Sequence, residues 1–286
     1  VPKISFAGVT AASLQIDDPK VLDRAKNSPE VHIALQMLRP RNWWGAGISP
    51  NTLQQLSRDD GIPVAWVPPT ATLNDLASAA NSTARSAVLL AHEGAIVDDC
   101  VEALYACVHP WLADEAALAH RALSAYKDGH YEAAMALAIA LGEPLAKWWS
   151  VPQLPDSFDT EEHRQALQAT FDAEKDAAKA AGRKLHSTYQ LARALLDKPG
   201  IDPSRLAFRW QIVAAPIPKF FTPWRDGKDL PPDDLSRHVI AHRPTVVHMN
   251  RRNALVAQML VTSLLREWQH WAERLQDLQD LATEPE

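Results

Sequence analysis

Cysteine is nearly absent from this chain: Cys100 and Cys107 are the only two in 286 residues. A disulfide-stapled scaffold is therefore excluded as the source of stability. The pair lies on one face of a helical pattern but ~10 Å apart along its axis, too far to bridge. Two buried, reduced thiols are expected, and with them a cytoplasmic location. Glycine is sparse as well, at ten residues, and none belongs to a phosphate-cradling loop. A serine-centred nucleophile elbow and a cysteine–histidine metal spacing are also missing. Ser5, Ser49 and Ser263 stand in no context that would activate a hydroxyl. No apolar run approaches the ~20 residues needed to span a bilayer, so no membrane association is expected. The start, Val1-Pro2-Lys3-Ile4, lacks the basic-then-apolar layout of a secretion signal. Positive charge is in deficit, with 29 Lys and Arg against 35 Asp and Glu, a net charge of −6. That balance excludes a protein that coats nucleic acid through a broad basic surface, while a small, locally basic cleft remains open to it.

What is present fits a globular chain. Hydrophobic residues make up 47% and charged residues 22%, enough to build one large domain or two of ordinary size. Ten tryptophans are many for this length, and those at Trp43-Trp44, Trp148-Trp149, Trp268 and Trp271 are expected to pack a core. The expected fold class is mainly α: a helical bundle with a small irregular N-terminal region. That region becomes α+β only if Ile4-Ser5-Phe6-Ala7 pairs with a brief strand within Gly61–Pro69. Residues 1–84 read as an accessory or regulatory region and 85–286 as the helical domain, with an insertion at about 150–232.

Helix signals are specific in several places. Ser49-Pro50 starts a short helix. From Leu73 to Trp149 alanine and leucine dominate, and Val88, Leu89, Ile96, Val97, Val101, Leu104 and Val108 recur at three- and four-residue spacing. His109-Pro110 marks a break, with Asp114 or a neighbour as the next cap. Asp128-Gly129 turns between helices Glu115–Lys127 and Tyr131–Trp149, and Gly142 and Pro144 are expected to bend or interrupt the second. Residues 150–160 read as a linker, 161–197 as a charged amphipathic helix, and 199–232 as proline-rich loop with Phe208–Ala214 as an apolar element. Pro231-Pro232-Asp233-Asp234 is expected to open a helix that Arg243-Pro244 closes. A last helix runs from about Asn250 to Leu281, with an apolar stripe through Leu255, Met259, Leu260, Leu264, Trp268, Trp271, Leu275 and Leu278.

The chemistry-bearing feature is Arg237-His238-Val239-Ile240-Ala241-His242. It sets a permanent cation and two imidazoles within about one and a half helical turns. Cleaving a phosphodiester without a metal needs such groups: a guanidinium for phosphate oxygens and imidazoles to move protons. His238 and His242 share a helix face, whereas Arg237 and His242 are about 140° apart on a straight helix. Three structural alternatives use the same residues. Arg237 and the histidines cap helices or pair with Asp233 and Asp234; His238, His242 and His248 bind zinc; or the histidines are hydrogen-bonded core residues. Zinc is opposed by the neighbouring cation Arg243 and because no nearby acid occupies the place that a zinc-protease helix requires.

The pattern Arg-His-x-x-x-His, followed by a proline-bearing turn and a long apolar helix beginning Asn253-Ala254-Leu255, resembles the HEPN family (higher eukaryotes and prokaryotes nucleotide-binding). The segment 119–134, a helix, a short turn containing Gly129 and a second helix, is similar to the unit that precedes the motif in related bundles. The resemblance covers 85–149 and 233–282. It implies a helical bundle that dimerises so that two Arg237/His242 pairs meet in one cleft. It also implies metal-independent endoribonuclease activity of a toxin or defence effector, with an RNA substrate, no cofactor, and an inhibitory or activating protein partner. Carried onto this chain, Arg237 stabilises the phosphorane, His242 serves the proton transfers and His238 takes the family's frequent polar position. Arg243 stands where many members have glycine, an added cation that either contacts RNA or marks a site that has diverged. Some members bind nucleotides or act only as scaffolds, so a non-catalytic helical module is the rival reading.

Further candidates flank this motif. Arg251 and Arg252 offer phosphate contacts or are ordinary surface arginines. His92-Glu93 offers a carboxylate-oriented imidazole or a solvated pair. Asp98-Asp99 is an acid pair of which at most one can serve a given site, because adjacent helical residues point about 100° apart.

Overall fold

The computed structural model describes residues 40–148, 206–222 and 233–283, with isolated positions 176, 180, 224 and 229. Of residues 206–208, 210, 271 and 274–283 the helical backbone alone is described. The expected linker, the charged helix 161–197, Ile4–Ala7 and the side chains of Leu275 and Leu278 lie outside that set.

The described chain is mainly helical, as expected. Its helices are α1 (Pro50–Arg58), α2 (Thr70–Ser78), α3 (Ser82–Ala91), α4 (Glu93–Tyr105), α5 (Ala113–Lys127), α6 (Tyr131–Trp148), α7 (Leu206–Ala214), α8 (Ile217–Phe220), α9 (Arg237–His242) and α10 (Arg251–Thr283). Short 3-10 turns occupy Arg41–Trp43 and Pro110–Leu112. Local signals set many of the ends. Ser49 accepts a hydrogen bond from the Thr52 N–H with Pro50 in the first turn of α1. Gly129, at φ +81°, turns the chain between α5 and α6 in the left-handed conformation that glycine adopts without cost. Asp114 lies in the first turn of α5, but no side chain caps that helix, whose N-cap is Leu112.

α10 is the axis of the bundle. Every side chain from Asn253 to Leu265 is buried, so the expected stripe is in fact a fully enclosed cylinder, surrounded by α4, α5, α6 and α7. Polar groups on this helix are satisfied by neighbours: Gln258 Nε2 donates to Ala134 O at 3.1 Å and Trp268 Nε1 to Leu145 O at 3.2 Å, both on α6. α6 runs continuously from Tyr131 to Trp148 with Pro144 inside it, so of the expected bend or interruption the interruption does not occur. Ala134, Met135, Ala138, Ile139, Leu141, Leu145 and Ala146 are all buried along it. Their combined burial, at ~1.5–3 kcal/mol for each large apolar side chain, outweighs the ~3 kcal/mol cost of an internal proline.

No strand occurs among the described residues, and Gly61–Pro69 is an irregular, bent segment without a partner strand. Pro63, Pro68 and Pro69 remove donors that a ladder would need, and side chains take the carbonyls instead. Val64 O accepts from Asn42 Nδ2 at 3.0 Å and Trp43 Nε1 at 2.7 Å, and Pro68 O from Asn42 Nδ2 at 2.9 Å. The 84/85 boundary expected from the sequence falls inside α3. Leu53, Leu56, Ile62, Val64, Leu73 and Leu76 share one core with α4–α6 and α10, and so do Ile212, Val213, Ile217 and Phe220 from the expected insertion.

Candidate functional site

The motif helix is shorter than expected. It starts at Arg237, not near Pro231, and no acid lies in its first turn. Asp233 and Asp234 stay outside it because tertiary ties hold them. Asn253 Nδ2 donates to Asp233 O at 3.1 Å. Asp234 bridges two cations, Lys219 Nζ at 2.6 Å and Arg252 Nη2 at 3.1 Å. Arg243 closes the helix, its N–H donating to Val239 O at 2.8 Å, with Pro244 following.

His238 and His242 come together as their spacing implies, with ring centroids 5.8 Å apart at an interplanar angle of 39°. His242 and Arg243 are exposed and His238 is half-buried. Two imidazoles at that separation can flank one phosphate, one taking a proton as the other gives one. Arg237 turns to α6, where its Nε and Nη2 donate to Glu143 Oε2 and Oε1 at 2.9 and 3.1 Å. Arg237 therefore pairs with a carboxylate, as one alternative held, but with Glu143 and not with Asp233 or Asp234.

His248 does not join the other histidines. It is 3% exposed, and its Nε2 accepts from the Ser236 N–H at 3.3 Å. That bond fixes the proton on Nδ1 and commits Nε2 to the loop. Among the described residues no cluster of His, Cys, Asp and Glu is arranged to hold a metal ion.

Both flanking arginines are held by carboxylates. Arg251 donates through Nε to Glu93 Oε1 at 2.7 Å and through Nη2 to Oε2. Tyr126 Oη donates to the same carboxylate. Glu93 titrates below its usual range because Arg251 bonds to its charged form, with burial opposing, while burial and Glu93 push Tyr126 upward. Arg252 lies mostly inside, its Nη1 also donating to Asn253 Oδ1 at 2.8 Å. These contacts tie the start of α10 to α4, α5 and the loop before α9. His92 pairs with Asp75 at 2.9 Å, so His92 and Glu93 serve different partners.

Asp98 and Asp99 diverge as helix geometry requires. Asp98 faces solvent near Lys127, while Asp99 is 10% exposed beside Arg41. Burial pushes Asp99 up to about 6 against the pull of Arg41. Cys100 and Cys107 are free and buried, and burial pushes their thiols to about 12 and about 11. Neither is an activated nucleophile.

Two features went unread in the sequence. Glu143 is one; nothing in its local pattern separates it from a surface acid. The other is a buried cluster around Glu267. Arg209 and Glu267 are 2% and 0% exposed and joined by bonds of 2.8–3.0 Å, and Trp66 Nε1 donates to the same carboxylate at 2.9 Å. The guanidinium carbons of Arg209 and Arg266 lie 5.5 and 5.1 Å from the Trp66 ring. Trp66 adopts φ +71°, a left-handed conformation costly for a bulky residue, which this cluster maintains. A signal did exist: Glu267 falls on the same helical stripe as Leu260, Leu264 and Trp271, and an acid there demands a buried cation.

The described residues define a mainly α chain with a short imidazole-bearing helix tied to α6 through Arg237 and Glu143. No family model, curated protein or solved structure matches it.

Proposed function

We propose that this chain is a metal-independent endoribonuclease of the HEPN type, a toxin or defence effector acting as a cytoplasmic homodimer under the control of a partner protein. The observation that carries the reading is the His238–His242 pair, 5.8 Å apart on a helix bounded by Arg237 and Arg243. In the reaction the ribose 2′-hydroxyl attacks the adjacent phosphorus. His242 or His238 accepts the hydroxyl proton, and the other imidazole donates one to the departing 5′-oxygen. The P–O5′ bond breaks, leaving a 2′,3′-cyclic phosphate and a free 5′-hydroxyl. Arg237 stabilises the added charge on the phosphorane, and Arg243, exposed beside His242, contacts the RNA backbone.

A second reading, a non-catalytic helical module that binds a nucleotide or a protein, is favoured by the engagement of Arg237 with Glu143. Labelled RNA incubated in EDTA separates the two. Cleavage that leaves cyclic-phosphate ends, and that falls ~10²–10⁴-fold in His242→Ala, is the expected result, with Arg237→Ala also impaired. An inert wild type that is demonstrably dimeric would favour the module. Activity abolished by EDTA would sink the metal-independent mechanism.

A further inference from the structure

Glu143 occupies the guanidinium edge that the proposed reaction needs. Arg237 presents Nε and Nη2 side-on to the two carboxylate oxygens at 2.9 and 3.1 Å. A phosphate matches that same pair of donors, since guanidinium binds carboxylate and phosphate with one bidentate geometry. The two anions therefore compete for one edge.

Exposure separates this pair from the sealed guanidinium–carboxylate pairs of the fold; Arg251–Glu93 and Arg41–Glu102 are also open to solvent but hold no residue of the motif. Arg209–Glu267 is sealed at 2% and 0% exposure, and Arg85–Asp60 at 9% and 7%. Arg237 and Glu143 are 24% and 23% exposed, at the rim of the core, where an incoming anion can reach them. The partners also differ in how firmly they are held. Glu143 sits in the 18-residue α6, packed along the central helix. Arg237 is the first residue of a six-residue helix whose N-cap, Ser236, makes no side-chain capping bond. Exchange of partner is thus a movement of Arg237 away from a fixed carboxylate.

We infer that Glu143 is an autoinhibitory carboxylate that holds Arg237 in the resting chain, and that RNA phosphate binds by displacing it. This deepens the ribonuclease reading and rests on it for the identity of the anion. The displacement is simple exchange: Arg237 keeps its charge, gives up the Glu143 carboxylate and takes the phosphodiester in its place. An overall charge of −6 adds a long-range barrier to the same anion, so the resting chain is doubly guarded.

The test uses a fluorescently labelled 2′-deoxy oligonucleotide, which presents phosphates but cannot be cleaved. Glu143→Gln keeps the side-chain shape and removes the competing charge. Its affinity is expected to rise on the order of tenfold, the effect of deleting one charge-assisted competitor. Glu143→Asp, which retains the charge but withdraws it by one methylene, is expected to gain less and is the measurement to rely on if the glutamine variant does not fold. Adding Arg237→Ala to Glu143→Gln must erase the gain. If affinity is unchanged or falls in both Glu143 variants, the carboxylate positions Arg237 and the inference is overturned. RNA cleavage assayed alongside keeps the two claims apart. Cleavage by wild type with no gain in the variants sinks the latch alone, whereas an Arg237-dependent gain without any cleavage sinks the ribonuclease alone.

Discussion

Replacing Arg209 by methionine leaves the Glu267 carboxylate fully buried, with only the Trp66 indole N–H, 2.9 Å away, as donor. Every guanidinium hydrogen bond to the carboxylate is lost, and Glu267 lies in an enclosed site of 0% exposure. Breaking such a pair from one side costs ~3–5 kcal/mol, because the remaining charge is uncompensated. At ~2–4 °C for each kcal/mol in a chain of this size, the melting temperature falls by roughly 6–20 °C. Arg209→Met combined with Glu267→Gln recovers most of the loss. The amide oxygen still accepts from Trp66 and no buried charge remains, and removing both members of a buried pair is often close to neutral. Thermal unfolding followed by far-ultraviolet circular dichroism reads both variants. Because the pair is sealed, the deficit is expected to persist at high salt, unlike that of a surface pair. Two results would refute the reasoning: a single variant melting within about 2 °C of wild type, under 1 kcal/mol on the same scale, or a double variant no better than the single.

Two pH dependences follow from the half-buried acids Asp99 and Glu93. Asp99 is raised from its usual 3.8 to about 6 by burial, so the folded chain keeps this proton to higher pH than the unfolded chain. Stability from this group is therefore present below about pH 4 and lost as pH rises toward 6, a change of about 3 kcal/mol. Asp99→Asn should flatten that slope in urea titrations, and an unchanged slope contradicts the assignment. Glu93 has the opposite sign. Its carboxyl is held below its usual 4.5 chiefly by Arg251, so its contribution is present above that pH and disappears as pH falls through the lowered value. Arg251→Met should weaken the chain at neutral pH and leave a shallower acid limb; an acid limb as steep as in wild type would count against the tie.

The readable parts of this protein were those set by neighbours in the chain. Ser49-Pro50, the His109-Pro110 break, the Asp128-Gly129 turn and the long final helix each depend on capping, ring geometry or periodicity, which act within a few residues. The shared face of His238 and His242 belongs here too, since four helical steps bring two rings together whatever surrounds them.

What depended on distant partners was not readable. The start of α9 shifted from Pro231 to Arg237 because Lys219, Arg252 and Asn253 claim Asp233 and Asp234 before they can enter a first turn. Pro144 failed to break α6 because the burial along that helix exceeds the proline's local cost. Arg251 is a surface arginine, as one alternative held, but its pairing with Glu93 and that of Arg252 with Asp234 were set by packing. The sequence by itself determined that this is a helical protein carrying one arginine–histidine helix, because propensity, capping and periodicity are local energies. Only the tertiary structure decided that Arg237 meets Glu143, 94 residues away, and that Glu267 is buried with Arg209 and Trp66. Ion pairs form between charges that packing brings within a few ångströms, and linear spacing does not encode that distance.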